Sequence, residues 1–368
     1  MNVLFLQRLD QAGGGSRASL RTTLRALRAQ RPDWRLALAT ANPGPLGRQA
    51  LEWEMNHAVM PMPHYRNHLQ RPSYWIACRR LAGWARTLRP DIILSNEWVT
   101  APHALSVARA LGIPAMSYVR DFAALERGRK YQLHRVDRLL CVCESMRRGL
   151  IAAGYDPEKV LTVYNPVLRP AIHGPDPELR GRISSRTGVD RWLLYLGRIS
   201  PRKNQVAAVE TLRCLRGMTG QAWGLLLAGD ADDTYAAQVD EAAAAAGLGD
   251  AVLRLGIVPE PGWLFELAGA SLLTSKSEGL ARVLIESFLC GKPGFSFPLD
   301  GLEDIYGEDA SFFVAERAAP EDLARTIVAA LDSGPLCDDR TQQLRVMLER
   351  RHSLECHVAS FEAALTVG

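Results

Sequence analysis

The sequence predicts an α/β protein of two Rossmann-like domains, each a parallel sheet covered by helices. Short apolar runs alternate with helical patterns along the chain, which is the rhythm of βα units in parallel sheets. The 368 residues exceed one typical domain and indicate two. Hydrophobic residues make up 47% of the chain and charged residues 23%, and no apolar run approaches the ~18 residues of a membrane span. We therefore expect a soluble two-domain protein.

The chain opens with a strand, a glycine-rich loop and a helix. Residues 2–6 are apolar and predict a strand, and residues 18–29 carry a helical pattern. Polar residues end the apolar run at once, so we expect a strand here and no signal peptide. The loop between the two elements contains Gly13, Gly14, Gly15 and Ser16. Such loops cradle phosphate in Rossmann-like domains, although this one is not the GxGxxG fingerprint.

Residues 53–75 are aromatic, basic and interrupted by prolines. This composition favours a loop that recognises a substrate or touches a membrane, and a plain surface loop is the alternative. His64 and His68 are four residues apart, a spacing that can suit a metal on a helix. Pro61 and Pro63 precede them and no acidic residue stands close, so we expect no metal site here.

Two later strands of the first half end in polar pairs. Residues 91–95 lead to Asn96 and Glu97, and residues 113–119 lead to Arg120 and Asp121. In doubly wound sheets, ligands bind at the carboxyl ends of the strands. Both pairs are therefore predicted to face a binding cleft, with an Arg120–Asp121 pair that merely caps the next segment as the alternative.

The first half closes with two further apolar runs, residues 136–142 and 159–164, and residues 173–177 are linker-like in composition. We place the domain boundary near residue 170, so that residues 1–170 form the first domain and residues 171–351 the second. Residues 341–368 are helical in pattern and broken around His352.

The second half begins with a strand, residues 192–197, which ends at Gly197. Arg198, Lys203 and Asn204 follow. Two cations five residues apart after a strand-ending glycine can hold a diphosphate between them. Cations at the start of a helix oppose its dipole, which favours an anion at this place.

Further βα units follow in the second half. A strand over residues 224–228 precedes Asp230 and Asp232, which mimic a metal-binding DxD but are predicted to form a turn. A strand over residues 252–256 precedes Val258. An apolar run, residues 270–274, then precedes Glu278 and Gly279.

Glu278 lies in a tight loop, and an apolar helical pattern follows it. Glu286 is eight residues further on, two turns into the helix on roughly the same face. Gly279 lets the backbone approach a ligand, and the amides of Leu280 and Ala281 are expected to open the helix. A helix start is an anion site, so a diphosphate with hydroxyls at both ends would suit it. A nucleotide sugar is such a ligand.

Glu278 and Glu286, with Gly279 after the first, resemble the E-x7-E signature of retaining GT-B glycosyltransferases, in particular family GT4. Arg198 and Lys203 match the Arg and Lys that this family assigns to the donor phosphates. The resemblance implies two Rossmann-like domains facing a central cleft, with a C-terminal helix, about residues 352–368, crossing back to the first domain. It also implies retaining, metal-independent transfer of a sugar from a nucleoside diphosphate sugar, UDP or GDP, with no cofactor. The acceptor hydroxyl would belong to a glycan, a lipid-linked sugar or a small natural product.

The same resemblance assigns roles to individual residues. The catalytic set is Glu278, Arg198, Lys203, Arg120 and Asp121. The acceptor-binding set is Ser16, Asn96, Glu97 and Arg120. The donor-binding set is Gly14, Gly15, Gly197, Arg198, Lys203, Asn204, Val258, Glu278, Gly279, Leu280, Ala281 and Glu286.

Arg120 stands where GT4 proteins usually have a His. Arg cannot act as a base at neutral pH, but it could clamp a phosphate or carboxylate. This departure leaves two other functions open: a GT-B nucleotide-sugar epimerase or hydrolase, and a non-catalytic nucleotide-sugar-binding partner.

Charge divides the chain. Residues 1–170 hold 25 Lys and Arg against 12 Asp and Glu, a net +13, and the remainder has a net −9. The first half should therefore attract an anion, whether an acidic sugar acceptor, a phosphorylated lipid or a membrane surface, unless the charge is only that of a solvated surface. The seven cysteines are scattered, as in reduced cytosolic proteins. We expect a cytoplasmic enzyme of polysaccharide biosynthesis, with peripheral contact to the inner membrane face and no nucleic-acid partner.

Overall fold

A computed structural model describes residues 1–10, 15–67, 71–174 and 176–366. The chain forms two compact units. The first contains residues 1–166 and the chain from His352 onward, and the second is Val167–Arg351. From the sequence we expected the boundary near residue 170.

The first unit is built on a seven-stranded parallel sheet with the order β3-β2-β1-β4-β5-β6-β7. β1 is flanked by β2, with Val3 opposite Leu36, and by β4, with Val3 opposite Ile92. The strand order therefore reverses between β1 and β4, as in doubly wound folds. The strands are β1 (Asn2–Gln7), β2 (Arg35–Thr40), β3 (Asn56–Val59), β4 (Ile92–Ser95), β5 (Ala115–Val119), β6 (Arg138–Cys141) and β7 (Val160–Thr162).

Helices connect these parallel strands. In the first of them, Leu20, Leu24 and Leu27 recur at helical spacing and are fully buried. Gly112 ends the fourth helix in the left-handed region, with φ of 69°. The helices are α1 (Gly15–Gln30), α2 (Pro45–Glu52), α3 (Arg71–Leu88), α4 (Ala101–Leu111), α5 (Ala123–Arg127) and α6 (Glu144–Ala152).

The prediction of a loop over residues 53–75 was wrong at both of its ends. β3 pairs with β2 as an edge strand, and α3 begins at Arg71. β3 escaped notice because it is only four residues long and mostly not buried. α3 buries an interrupted apolar stripe, including Tyr74, Ala77 and Leu81, behind an exposed basic face that masks the helical pattern.

The second unit repeats the architecture on a five-stranded parallel sheet with the order β10-β9-β8-β11-β12. The strands are β8 (Arg191–Leu196), β9 (Trp223–Ala228), β10 (Val252–Gly256), β11 (Ala268–Leu273) and β12 (Gly294–Ser296). The helices are α7 (Pro177–Ser184), α8 (Gln205–Thr219), α9 (Asp233–Ala245), α10 (Gly262–Leu267), α11 (Arg282–Leu289), α12 (Glu303–Tyr306), α13 (Ala310–Phe313), α14 (Pro320–Asp332) and α15 (Pro335–Arg351).

The core of the second unit is rich in aromatic rings. Phe288 of α11 packs edge-on against Phe313 at 5.3 Å and against Tyr306 at 5.7 Å. These rings bury large apolar area, which is the main favourable term in folding. They also fix the position of α11 beneath the loop that carries Glu278.

The last helix, α16 (Leu354–Thr366), belongs to the first unit, as predicted. Phe361 stacks between Phe5 of β1 and Tyr118 of β5, with ring centroids 6.2 Å apart in both pairs. His357 bonds Thr23 of α1 at 2.9 Å and the Tyr164 carbonyl at 2.7 Å. The chain therefore returns from the second unit to complete the core of the first.

Two Rossmann-like units of parallel sheet and helix confirm the fold class predicted from the sequence. Among the described helices, none combines the length and apolar character that crossing a bilayer requires.

Candidate functional site

The carboxyl ends of β8 and β11 lie side by side, where the strand order of the second sheet reverses. Ligands of open α/β sheets bind in the crevice outside this point. The segment after β8 carries Lys203, and the segment after β11 carries Glu278. The fold thus brings to one edge two charged residues that are 75 positions apart in sequence.

Lys203 and Glu278 form an ion pair. The Lys203 Nζ donates to Glu278 Oε1 at 2.6 Å, and the two side chains are only 14% and 10% exposed. At so low a solvent exposure, either charge without its partner would carry a large desolvation penalty. An anionic ligand beside Lys203 could replace Glu278 as its partner, which would release the carboxylate for other hydrogen bonds.

Arg202 is a further member of this site that sequence reasoning missed. Its Nη1 lies 3.5 Å from Glu278 Oε2 and donates to the Ser277 carbonyl at 2.7 Å. Glu278 therefore faces two cations. The available signal was the position of Arg202 directly before Lys203 in the same basic segment.

Hydrogen bonds brace the backbone that presents Lys203. Asn204 has a left-handed φ of 58°, which turns the chain sharply into α8. Its carbonyl accepts from Thr274 Oγ1 at 2.8 Å, and the Lys203 carbonyl accepts from the Tyr195 hydroxyl. The loop after β8 is thus tied to the end of β11, so the ion pair stands on a fixed frame.

Glycines keep the corner after β8 open. Gly197 and Gly229 have φ of 155° and 150°, and a Cβ on Gly229 would lie 2.3 Å from the Gly197 carbonyl oxygen. No other residue fits that approach without moving the backbone. Gly197, which the sequence placed in the donor site, therefore sets the path of the chain toward Arg198.

Arg198 is turned away from Lys203. It is 62% exposed, and its Nε lies 3.8 Å from Asp230 Oδ2. The two cations predicted to hold one diphosphate thus have different acidic partners here. Asp232 caps α9 by accepting from the Tyr235 amide at 3.1 Å. Within the described residues, no three His, Cys, Asp or Glu side chains are grouped to hold a metal.

Glu286 lies in α11, largely buried, and its Oε1 accepts from Arg282 Nη2 at 3.2 Å. Burial raises the pKa of Glu286, and the charges of Arg282 and Lys203 oppose that rise. Lys203 is therefore near enough to act on Glu286 while it bonds Glu278. Lys203 thus bonds the first acid of the sequence motif and influences the pKa of the second through its charge.

α11 begins at Arg282, with Ala281 as the residue before its first turn. Gly279 and Leu280 therefore lie before the helix. From the sequence we had expected the amides of Leu280 and Ala281 to be the first of the helix. The Leu280 carbonyl accepts from the Arg282 amide at 2.8 Å. Val258 lies just past β10, half-buried, at the same edge of the sheet.

The first unit has its own polar cluster where its strand order reverses. Asn96 is fully buried, and its Nδ2 donates to Gln7 Oε1 at 2.6 Å and to the Ser16 carbonyl at 3.1 Å. Glu97 Oε1 accepts from Ser16 Oγ at 2.6 Å and from Gln7 Nε2 at 3.1 Å. Ser16, Asn96 and Glu97, all predicted site residues, thus come together with Gln7. The sequence analysis missed Gln7, and the only available signal for it was its position at the end of β1. Gly15 is the first residue of α1, and Gly14 lies outside the described residues.

Arg120 and Asp121 do not bond each other. The Arg120 guanidinium donates to Asn96 Oδ1 at 2.6 Å and to Asn165 Oδ1 at 2.6 Å, and it stacks over the Tyr118 ring at 4.1 Å. Asp121 accepts from Trp98 Nε1 at 3.0 Å and from the Ala123 amide at 3.1 Å. Asp121 thus caps the segment that follows, as in the alternative drawn from the sequence, whereas Arg120 joins the segments after β4, β5 and β7.

His64 contacts Tyr131, whose hydroxyl lies 3.4 Å from His64 Nδ1. Burial lowers the pKa of His64, and Arg8 lowers it further. His68 lies outside the described residues. An edge-to-face contact with the Tyr131 ring, with centroids 6.0 Å apart, accounts for the placement of His64 as an aromatic packing residue.

Comparison with known protein families divides the chain in the same way as the fold. Residues 182–347 match the family described as glycosyl transferases group 1. Residues 13–167 match the family described as glycosyltransferase family 4. Between them, the two matches cover most of both units.

One curated protein is similar in sequence, the Vi polysaccharide biosynthesis protein VipC/TviE of Salmonella typhi. It is 29% identical over 139 residues, which cover 37% of this chain and 24% of that protein. The matched stretch thus spans about a quarter of that relative's length.

Solved structures of glycosyltransferases share the fold over the whole chain. Alr3699/HepE of Anabaena, in complex with UDP and glucose, has a TM-score of 0.80 at 17% identity, covering 100% of this chain and 99% of that one. A glycosyltransferase of Rickettsia africae has a TM-score of 0.80 at 14% identity, covering 100% and 99%. HepE was also solved with UDP-glucose.

Proposed function

Because this chain belongs to the group 1 glycosyltransferases, the GT4 type with the GT-B fold, we propose that it transfers a sugar from a nucleoside diphosphate sugar to an acceptor hydroxyl with retention at the anomeric carbon. The observation that carries the proposal is the Lys203–Glu278 pair at 2.6 Å, on the switch point of the second sheet. It joins the two motifs that the family uses for donor phosphate and donor sugar.

The diphosphate would exchange partners with this pair. Its negative charge would take Lys203 from Glu278, helped by Arg202 and by Arg198, which is exposed and free to turn on its long side chain. Glu278 would then accept hydrogen bonds from the sugar hydroxyls. Glu286, bonded to Arg282 here, would accept from the ribose hydroxyls.

The chemical step would be a displacement on the face of the leaving group. The bond between the anomeric carbon and the phosphate oxygen breaks while the acceptor oxygen bonds that carbon from the same side. The acceptor proton passes to the departing phosphate oxygen. Lys203 and Arg198 would stabilise the charge that gathers on the diphosphate, so we propose that no metal ion is needed.

The acceptor would lie against the first unit. Ser16, Asn96 and Glu97 form a connected polar group at the carboxyl end of β1 and β4, and Glu97 carries a second oxygen that can receive an acceptor hydroxyl. Arg120 would act by holding Asn96 and Asn165 in position, since its guanidinium bonds both. The likeness to a Vi polysaccharide biosynthesis protein favours a glycan or glycan-lipid acceptor.

The first donor to test is UDP-glucose, because HepE binds it. Thermal shift with UDP-, GDP-, ADP- and dTDP-sugars selects the base, and a reaction with candidate acceptors follows. We expect nucleoside diphosphate release only when an acceptor is present, unchanged by chelator, with a product of the donor's anomeric configuration by NMR coupling constants.

Other outcomes would favour the remaining candidates. Diphosphate release without acceptor would indicate a hydrolase or epimerase, and binding without turnover would indicate a nucleotide-sugar-binding partner. An inverted product would overturn retention while leaving the transferase assignment intact.

We also propose that the enzyme works in the cytoplasm against the inner membrane face. The net charge of +13 on residues 1–170 supports this, because a cationic surface is drawn to anionic lipid headgroups.

A further inference from the structure

One face of α3 exposes apolar and basic side chains together. Trp75 is 61% exposed and Ile76 54% exposed, and Arg79, Arg80 and Arg86 are exposed beside them. At 100° per residue, these five positions fall within about 140° of the helix circumference. The opposite side is buried through Tyr74, Cys78, Leu81 and Ala85. We name Trp75, Ile76, Arg79, Arg80 and Arg86 the α3 face.

The surroundings of the α3 face lack negative charge. Residues 55–90 contain six arginines and no Asp or Glu. α4, which packs against α3, has no acid either and adds Arg109. In the part of the chain that the structure describes, no ion pair joins Arg79, Arg80 or Arg86 to a carboxylate. Three guanidiniums thus stand at the surface without counter-charges, and such a surface attracts anions.

An ordinary solvated helix of this protein looks different. The exposed side of α15 carries Asp338, Asp339 and Glu349 together with Arg350, so charges of both signs alternate. Its two exposed large apolar residues, Leu336 and Val346, are ten positions apart along the helix. Single exposed apolar residues need no explanation, whereas an adjacent Trp and Ile ringed by arginine alone do.

Two open depressions flank the α3 face. One, of about 270 Å³, lies beside Ile76 and is lined mostly by apolar side chains, including Val59, Met60, Pro61 and Pro63. The other, of about 540 Å³, lies between α3 and α4, with Trp75 on its wall and Arg79 and Arg86 at its rim. The surface thus offers apolar recesses next to cationic groups.

We propose that the α3 face docks on a lipid bilayer that contains anionic phospholipids, with Trp75 and Ile76 entering the interface while Arg79, Arg80 and Arg86 pair with headgroup phosphates. Trp is favoured at the level of the headgroups, and long basic side chains keep their charge there while their stems lie along apolar surface. A soluble polyanion would satisfy the arginines but would leave Trp75 and Ile76 in water. The combination therefore selects a membrane.

This inference deepens the membrane contact proposed above, and it does not depend on sugar transfer. The α3 face shares no residue with the group around Lys203 and Glu278. A failure of membrane docking would therefore leave donor binding unchanged, and a failure of donor binding would leave docking unchanged.

The test is flotation of the full chain with vesicles of phosphatidylcholine alone or with about a third of phosphatidylglycerol. We expect binding to the mixed vesicles, weak binding to phosphatidylcholine alone, and a marked decrease at about 0.5 M salt, where the screening length is short. Trp75→Ser with Ile76→Ser, and separately Arg79→Gln with Arg80→Gln, should each weaken the partition by about tenfold or more.

The matched control is Val346→Ser with Arg350→Gln on α15, which removes an exposed apolar residue and an exposed arginine from the other unit. It should bind vesicles as the unchanged protein does. Circular dichroism and thermal unfolding of every variant check that the fold is kept. Absence of flotation with the unchanged protein overturns the proposal. Normal flotation of either α3 variant also overturns the proposal. If only the variant with Arg79→Gln and Arg80→Gln lost vesicle binding, the natural ligand would be a soluble polyanion.

Discussion

In the proposed function, Lys203 is the residue on which donor binding depends. It bonds Glu278 at 2.6 Å, and its charge lowers the pKa of Glu286 against the effect of burial. Burial makes this lysine expensive to leave without an anion, so it is always paired, either with Glu278 or with a ligand. The unliganded pair therefore holds the site ready and competes with the ligand at the same time.

Replacement of Lys203 by Ala should weaken binding of nucleoside diphosphate by roughly 10- to 100-fold, because a charge-assisted hydrogen bond to phosphate is worth about 1.5–3 kcal/mol. Isothermal titration measures this. Lys292→Ala is the control, since Lys292 follows α11 at its other end and its ammonium, among the described residues, bonds only the Glu266 carbonyl. Equal dissociation constants for Lys203→Ala and the unchanged protein would remove Lys203 from the site.

Glu278→Gln should separate binding from transfer. It removes the carboxylate that competes with the diphosphate for Lys203, so nucleoside diphosphate binding should stay equal or become tighter. Transfer should fall by about a hundredfold or more, since the group that orients the donor sugar loses its charge. Steady-state kinetics and titration give the two values.

Glu266→Gln on α10 is the control for the Glu278 variant, because Glu266 is exposed on the surface of the same unit. A Glu278→Gln protein that transferred sugar at the normal rate would exclude the assigned role. A large loss of diphosphate binding would instead show that Glu278 is needed to hold Lys203 in place.

At the level of elements, α16 completes the first unit. Phe361 fills the space between β1 and β5, and His357 links α1 to the segment after β7. His357 Nδ1 donates to the Tyr164 carbonyl, so its Nε2 accepts from the Thr23 hydroxyl. Burial lowers the pKa of His357 to about 4. The neutral form of the His357 ring therefore makes the hydrogen bonds by which α16 packs on the first unit.

Stability of the first unit should therefore fall as the pH drops. The unfolded chain protonates His357 near its ordinary pKa of 6.5, whereas the folded protein resists protonation until about pH 4, so acid favours the unfolded state in that interval. His357→Asn should reduce the loss of unfolding free energy between pH 7 and about pH 4.5 by about 2 kcal/mol.

Denaturant unfolding at the two pH values measures this difference, and the variant will also be less stable at pH 7 because it loses packing against Phe361. His173→Asn, at an exposed position of the second unit, should leave the pH dependence as it was. An unchanged pH dependence in His357→Asn would mean that folding does not lower the pKa of His357. His103 adds the same sign of effect, since burial lowers its pKa to about 4 as well.

For the whole molecule, the two units differ in net charge and in the polar site that each one carries. The first carries the polar cluster of Ser16, Asn96 and Glu97 and the basic surface, and the second carries the Lys203 group. Each unit uses the reversal point of its own sheet, so one architectural rule produces both sites.

A donor nucleotide should stabilise the second unit specifically. At about 100 times the dissociation constant it adds about 2.7 kcal/mol to the unfolding free energy. Hydrogen exchange should show protection in residues 197–204 and 275–286, and thermal unfolding should shift upward. Both effects should disappear in Lys203→Ala at the same nucleotide concentration. Protection confined to other segments of the second unit would place the nucleotide elsewhere.

The local sequence pattern was enough to predict much of the fold and part of the candidate site. The alternation of strands and helices follows from periodicity and turn residues, because parallel strands impose long apolar runs. Lys203, Glu278 and Glu286 were singled out by motif spacing together with the family resemblance. α3 was missed because its exposed face carries Trp75 and Ile76, so the pattern looked like an irregular aromatic segment. The proposed membrane contact would account for these exposed apolar residues.

Only the tertiary structure decided which charges meet. Arg202 joins Glu278, Arg198 turns to Asp230, and Arg120 bonds two asparagines and not Asp121. Sequence proximity says which loop a side chain occupies. The partner depends on the strand order, since the reversal between β8 and β11 brings together residues that are far apart along the chain. Long side chains then pair with the nearest opposite charge, and the tertiary structure determines which charge that is.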